Sequence, residues 1–156
     1  MGIIILKEDL AINEKDFERL EITSKSDSNS ETMYYLKAHV AGKIVFLRSS
    51  KDYAECRLAF YWYSYLIGSC KDNIVEFTLE DISWFSTLLS NFTDSFNSQV
   101  DKFVEDFCNG FDVSSLNDNE LGHLKDPNRV EIKRIKYELI DEFRERIKGY
   151  ISKKYQ

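Results

Sequence analysis

The sequence predicts an α+β fold, in which an antiparallel sheet of about four to five strands packs against two long amphipathic helices at about 79–109 and 127–154. Three observations support this prediction. Short apolar segments bounded by polar turns fill the N-terminal half. Apolar residues recur at intervals of three and four in both later segments. With 156 residues, 43% of them hydrophobic, and one proline, the chain is expected to form a single domain, 1–156.

The N-terminal segments are short. Residues 3–6 form an apolar run that predicts a first strand. Asn13 is predicted to cap a short helix that ends near Leu20, with a strand through residues 20–23 as the alternative. Residues 24–31, SKSDSNSE, are predicted to form an exposed loop, since they are polar and typical of turns.

Residues 32–49 predict a β-hairpin whose two-residue turn is Ala41-Gly42. That turn gives three expected pairs, Leu36 with Leu47, Ala38 with Val45, and His39 with Ile44. One face of the hairpin would then be apolar and the other half polar, as in a sheet with one solvated side. The half-polar face would carry Tyr35, Lys37, His39, Ile44, Phe46 and Arg48.

The segment LAFYWYSYLI at residues 58–67 is the densest apolar run, with ten uncharged residues of which five are aromatic. Because aromatic residues favour strands, we predict a central strand that is covered on both faces. A buried helix over residues 51–67, with a serine cap before it and Gly68 as its terminator, is the alternative. Residues 73–78 alternate in polarity and predict one more strand.

The first long helix is predicted to begin at Thr78, which forms a capping box with Asp81. Weak helix formers at residues 90–93 allow a bend, and Asn109-Gly110 supplies the stop. Its expected inward stripe is Ile82, Phe85, Leu89, Phe92, Phe96, Val100, Phe103 and Phe107.

The second long helix is predicted to begin after Asp126, with Pro127 in the first position. Its inward stripe would consist of Val130 or Ile132, Ile135, Leu139, Phe143, Ile147 and Ile151. Residues 111–126 between the two helices are predicted to form an irregular acidic loop.

Charge is unevenly distributed along the chain. Residues 51–125 carry five basic against thirteen acidic residues, whereas residues 126–156 carry nine against six. An acidic chain disfavours direct nucleic-acid binding, which requires a cationic footprint. It favours a basic protein partner, since complementary fields accelerate encounter. No apolar run reaches the length of about 18 residues that a membrane span requires, so we expect a cytoplasmic protein.

Few residues suggest catalysis. The three cysteines, Cys56, Cys70 and Cys108, are expected to be buried free thiols because no C-x-x-C pair is present. Phosphate-loop, dinucleotide and serine-hydrolase motifs are absent, so no cofactor is expected. His39 is expected to be structural.

Two weak alternatives for an enzyme remain. The first is a divalent-metal cluster of Asp118, Glu120, His123 and Asp126. The second is the nuclease-like sequence Glu131-Ile132-Lys133, in which a carboxylate would hold a metal ion and a lysine would help to activate water. We interpret both as solvated loop and helix residues, since their spacing and context fit neither an EF-hand nor a metal site at a strand end.

The strongest indication of function is a set of acidic residues. On the first long helix, Asp94, Asp101 and Glu105 should lie near one line. The whole candidate partner-binding set is Asp94, Asp101, Glu105, Asp106, Asp112, Asp118 and Glu120. We expect a non-enzymatic binding protein, in general character resembling a bacterial toxin-neutralising immunity or inhibitor protein that occludes a basic nuclease-type toxin. A regulatory or phage-type protein acting through homo-oligomerisation is the alternative, and a metal-dependent enzyme ranks third.

Overall fold

The computed structural model describes residues 2–7, 10–71, 74–107, 117–120 and 128–155. Its elements are β1 (Ile3–Lys7), β2 (Leu10–Asn13), β3 (Phe17–Ser26), β4 (Thr32–Val40), β5 (Lys43–Ser50), α1 (Tyr53–Ser69), β6 (Ile74–Glu76), α2 (Leu79–Phe107) and α3 (Arg129–Tyr155). The predicted α+β class and both long helices are confirmed.

The strands form two three-stranded sheets. The first has the order β2-β1-β6, with β1 antiparallel to β2 and parallel to β6. The second is an antiparallel meander, β3-β4-β5. Both sheets contribute to one core, since Ile4 of β1, Val75 of β6 and Leu36 of β4 belong to the same cluster of buried residues as the three helices.

The predicted helix after Asn13 is wrong. Asn13 does cap a helical turn, and its side chain accepts a hydrogen bond from the Lys15 backbone N–H at 3.0 Å. The turn is only a 3₁₀ segment, Glu14–Asp16, and β3 follows it at Phe17. Nine residues of β3 pair with β4, and this tertiary pairing prevails over the local helical tendency.

The hairpin forms as predicted, with one difference in register. Ala41 and Gly42 have positive φ angles of 50° and 76°, as a turn that follows the strand twist requires. The pairs Ala38 with Val45 and His39 with Ile44 are confirmed. A bulge then shifts the register, so that Leu36 lies opposite Arg48 instead of Leu47.

The bulge redirects Arg48, which we had placed on the half-polar face. Because Leu36 is fully buried, its partner Arg48 also turns toward the helices. There the Arg48 Nε donates to Glu55 of α1 at 2.9 Å, and its guanidinium carbon lies 5.7 Å from the Phe85 ring centre. Ser50 completes this cluster by donating to the other Glu55 oxygen at 2.6 Å.

The preferred prediction of a strand at residues 58–67 is wrong, because these residues belong to α1. Asp52 caps this helix by accepting a hydrogen bond from the Ala54 N–H at 2.9 Å, where a serine cap had been considered. Gly68 lies inside the last turn, and Cys70 is the C-terminal cap. The helix is buried on several sides against β3, β4, β5 and α3, so its sequence lacks the periodicity that marks an amphipathic helix.

α2 begins as predicted, at Leu79 directly after Thr78. The predicted cap at Asp126-Pro127 and the predicted stop at Asn109-Gly110 lie outside the described residues. Both long helices pack much as predicted. α2 continues without a break through residues 90–93. Its stripe differs from the prediction at the ends, since Ile82 is 46% and Phe107 57% exposed, whereas Leu88 and Val104 are buried. The predicted stripe of α3 is buried from Ile135 onward, while Val130 is 81% exposed. Within the described ranges, no helix has both the length and the apolarity needed to cross a bilayer.

Candidate protein-binding surface

The N-terminus of α2 is held by a buried carboxylate, Asp81. The predicted capping box is present, since Thr78 N–H donates to Asp81 Oδ2 at 3.0 Å and Asp81 N–H donates to Thr78 Oγ1 at 3.2 Å. Asp81 also reaches across to the last turns of α3. Tyr150 Oη donates to its Oδ1 at 2.7 Å, Tyr155 Oη donates to its Oδ2 at 2.8 Å, and Lys154 forms an ion pair with it.

These contacts keep Asp81 ionised although it is fully buried. Burial by itself raises the pKa of this carboxyl, but hydrogen bonds from Lys154, Thr78 and Tyr150 outweigh that effect and hold the pKa well below its usual range. The hydrogen bond to Asp81 likewise raises the pKa of Lys154. The network therefore fixes the orientation of α2 relative to α3, and so positions the surface that α2 exposes.

The predicted acidic row lies on this surface. Asp94, Asp101 and Glu105 are all exposed on α2. Since the helix is continuous, spacings of seven and four residues place the three carboxylates near one line about 16 Å long. Among the described residues, neither Asp94 nor Glu105 takes part in a hydrogen bond or ion pair, whereas Asp101 does have an interaction partner. Asp94 and Glu105 are therefore open to a cationic partner.

An aromatic groove lies beside the N-terminal end of the acidic row. Its floor is the stacked pair Trp84 of α2 and Tyr150 of α3, with ring centres 4.0 Å apart and an interplanar angle of 14°. The groove has a volume of about 440 Å³. Its lining residues are Trp84, Thr87, Leu88, Asn91, Arg146, Gly149, Tyr150 and Lys153. Thr87 precedes Asp94 by seven residues, so the groove and the acidic row share one face of α2.

The other residues of the predicted acidic set are not gathered into this row. Asp106 is exposed on α2 but is turned by about 100° from Glu105. Asp118 and Glu120 lie in a short helical turn, where Glu120 accepts from the Asn117 N–H at 3.1 Å and therefore serves as a local cap. Asp112 lies outside the described residues.

The structure gives no support to the weaker chemical predictions. Glu131 hydrogen-bonds Arg134 at 2.6 Å, and this contact lowers the Glu131 pKa. Lys133 follows Glu131 by two residues, about 200° around α3, so the two side chains diverge. His123 and Asp126 lie outside the described residues. Within the described part of the chain, no three His, Cys, Asp or Glu side chains cluster as metal ligands would.

His39 and two of the cysteines have structural surroundings. His39 Nε2 lies 2.7 Å from Glu21 Oε2 on the neighbouring strand, and this contact lowers the Glu21 pKa. Cys56 and Cys70 are free and buried, and burial raises the pKa of both thiols. They are therefore poor nucleophiles. Cys108 lies outside the described residues.

The sequence identified the acidic row, but it missed the groove and the Asp81 network. Trp84 and Tyr150 are 66 residues apart, and no local pattern indicates that they stack. The capping box was visible, yet nothing in it indicated that Asp81 would also bind the end of α3. Comparison with known proteins gives no further indication of function, since no protein-family model, curated protein or solved structure matches the chain.

Proposed function

We propose that this protein is a non-enzymatic binding protein that neutralises a basic protein, in the manner of a bacterial immunity protein that occludes a nuclease-type toxin. The observation that carries the proposal is the acidic row of α2, in which Asp94, Asp101 and Glu105 are exposed along one helical line. A row of carboxylates complements the cationic surface by which a nuclease holds its substrate.

The aromatic groove supports the same proposal. Interfaces obtain much of their binding energy from aromatic anchors, while rim charges provide steering and specificity. Trp84 and Tyr150 offer such an anchor point on the same face of α2 as the carboxylates. A partner with an apolar side chain flanked by lysines or arginines would fill the groove and neutralise the row together.

The experiment uses the purified full chain as bait in an extract of its native cells. We expect one basic protein to be captured in stoichiometric amount at about 0.05 M salt and largely released at about 0.5 M, where the Debye length is only a few ångströms. The captured protein should have nuclease activity, and one equivalent of the bait should abolish it.

A pair of charge reversals tests the surface. Asp94→Lys with Glu105→Lys should weaken capture at least tenfold, which corresponds to about 1.4 kcal/mol. Asp101 is left unchanged because it has a partner in the fold. The control is Asp141→Lys with Glu145→Lys, which changes the net charge equally on exposed sites of α3. Equal weakening by both pairs, or by neither, would remove the acidic row from the proposal.

Self-association is a second candidate, favoured by the outer strand of the meander. β5 exposes Ile44 and Phe46, with 53% and 62% of their surfaces accessible, and an apolar edge strand is a ready site for pairing with a second copy. A regulatory protein acting as a homo-oligomer would use this edge. Sedimentation velocity should then show a dimer that Phe46→Lys converts to a monomer, whereas a monomeric wild-type protein would rule this function out.

A further inference from the structure

One cluster of arginines and tyrosines lies apart from the acidic row. Arg57, Tyr61 and Tyr65 follow one another at intervals of four residues, so they form a line along α1. Arg144 of α3 reaches the same line and donates from Nε to Tyr65 Oη at 2.9 Å. Arg57 donates from Nε to Tyr61 Oη at 3.1 Å. Both guanidiniums are therefore oriented by a phenol.

The two guanidiniums contact the same ring. Their central carbons lie 5.0 Å (Arg57) and 4.8 Å (Arg144) from the centre of the Tyr61 ring, so the carbons are at most 9.8 Å apart. Two guanidiniums that both hydrogen-bond one phosphate at about 2.8 Å are separated by roughly 6–8 Å. The arrangement is compatible with a single oxyanion bound by both. Tyr61 is only 9% exposed, so the ring that both cations contact is fixed.

Within the described residues, neither guanidinium is neutralised. Arg48, Arg134 and Arg146 each form an ion pair with a carboxylate, whereas the hydrogen bonds of Arg57 and Arg144 go to phenols and use only Nε. No described residue accepts a hydrogen bond from the terminal nitrogens of either arginine, so within this part of the chain they remain available as donors. Such a pair is unexpected in a chain with 27 acidic and 21 basic residues.

The acidic residues closest in sequence leave Arg144 unpaired. Asp141 and Glu145 are exposed on the same helix, but in the described part of the chain neither forms a hydrogen bond or ion pair with Arg144. Lys148 follows Arg144 by one turn and is also exposed, which adds a cation to this side of α3. A guanidinium with fixed orientation and free terminal nitrogens binds oxyanions bidentately, at little entropic cost.

We propose that Arg57 and Arg144 form a binding site for a doubly charged oxyanion, either inorganic phosphate or the phosphate group of a small phosphomonoester. This site goes beyond the proposed function and does not depend on it, since it uses α1 and α3 and none of the residues of the acidic row. Each arginine supplies a pair of terminal N–H donors, and Tyr61 and Tyr65 hold the two pairs in place.

The test is a titration of the full chain with inorganic phosphate at constant ionic strength, followed by NMR of the arginine Nε–H groups. We expect saturable shifts at Arg57 and Arg144, absent when chloride replaces phosphate. A parallel titration uses glycerol 3-phosphate. Tighter binding of the ester identifies the site as one for phosphomonoesters, and equal binding identifies free phosphate as the ligand.

Four variants separate binding from helix packing. Arg57→Gln and Arg144→Gln should each weaken phosphate binding at least tenfold, whereas Arg134→Gln, on an arginine already held by two glutamates, should leave it unchanged. Tyr65→Phe retains both cations and the ring, so it should fold and still weaken binding several-fold, because Arg144 loses its orientation. Absence of saturation in the wild-type protein, or equal affinity in Arg134→Gln and Tyr65→Phe, would overturn the proposal.

Discussion

Replacing Asp81 should destabilise the protein more than any surface change to α2. Asp81→Ala removes the buried carboxylate that accepts from Thr78, Tyr150 and Tyr155 and pairs with Lys154. Loss of one partner from a buried charged pair costs about 3–5 kcal/mol. The Lys154 side chain retains 29% exposure, so water can resolvate it. The lower end of that range, about 3 kcal/mol, is therefore expected.

Urea unfolding followed by tryptophan fluorescence measures this loss. Trp84 reports on the network directly, because it stacks on Tyr150, whose hydroxyl donates to Asp81. With a urea dependence of about 2 kcal/mol per molar, the midpoint should fall by about 1.5 M. Lys154→Met should cost less, about 1–2 kcal/mol, since it leaves Asp81 its phenol and threonine donors.

The control is Lys153→Met, which changes an exposed neighbour of Lys154 and should shift the free energy of unfolding by less than about 0.5 kcal/mol. In the double variant of Asp81 and Lys154, the two losses should not add, because both report on one interaction. A loss below about 1 kcal/mol for Asp81→Ala, or full additivity, would show that the network does not hold α2 to α3.

Three further predictions concern stability. The pKa of Asp81 is lowered in the folded protein, so the contribution of its carboxylate to the free energy of unfolding is complete above about pH 4 and is lost as the pH falls below that value. The difference in stability between wild type and Asp81→Asn, measured by urea unfolding, should therefore narrow toward pH 2. A constant difference would contradict this prediction. Gly42→Ala should lower stability by about 1 kcal/mol because φ is 76° at this position, whereas Ala41→Gly should raise stability by about 0.5–1 kcal/mol. Thermal unfolding measures both changes, and changes of the same sign would refute the reasoning. Arg48→Met should lower the free energy of unfolding, measured in urea, by about 1–2 kcal/mol, because it leaves Glu55 without its ion-pair partner and both side chains are only about one-third exposed. Adding Glu55→Gln should restore most of this loss, and no restoration would mean that the pair does not interact.

The elements that the sequence predicted correctly are those determined by local patterns. The capping box of Thr78 and Asp81 involves residues three apart, and the turn at Ala41-Gly42 needs only two positive φ angles. The apolar stripes of α2 and α3 face one core, so their periodicity survives in the sequence. In each case the physical cause lies within a few residues along the chain, so it can be recognised from the sequence without knowledge of the fold.

The incorrect predictions concern elements whose structure depends on residues that are distant in sequence. α1 is surrounded by strands and by α3, so apolar residues occupy most of its faces and the helical period disappears. The bulge that turns Arg48 inward is favoured by Glu55 on the next element, which the strand sequence does not contain. Of the candidate surface, the acidic row was predictable from spacing on one helix. The groove and the arginine pair were not, because each needs two helices in contact.

The position of α1 has a consequence for synthesis on the ribosome. Its main cover, α3, begins at Arg129, 60 residues after α1 ends at Ser69. At about 5–20 residues per second, those residues alone take roughly 3–12 s to translate. Trp62 packs on Phe77, Trp84 and Phe85, which are translated earlier than α3. The side of α1 that α3 covers nevertheless stays exposed during that interval, and transiently exposed apolar segments promote aggregation. Since Tyr150, Lys154 and Tyr155 bind Asp81 only once α3 emerges, the nascent chain depends on α3 to end this vulnerable period.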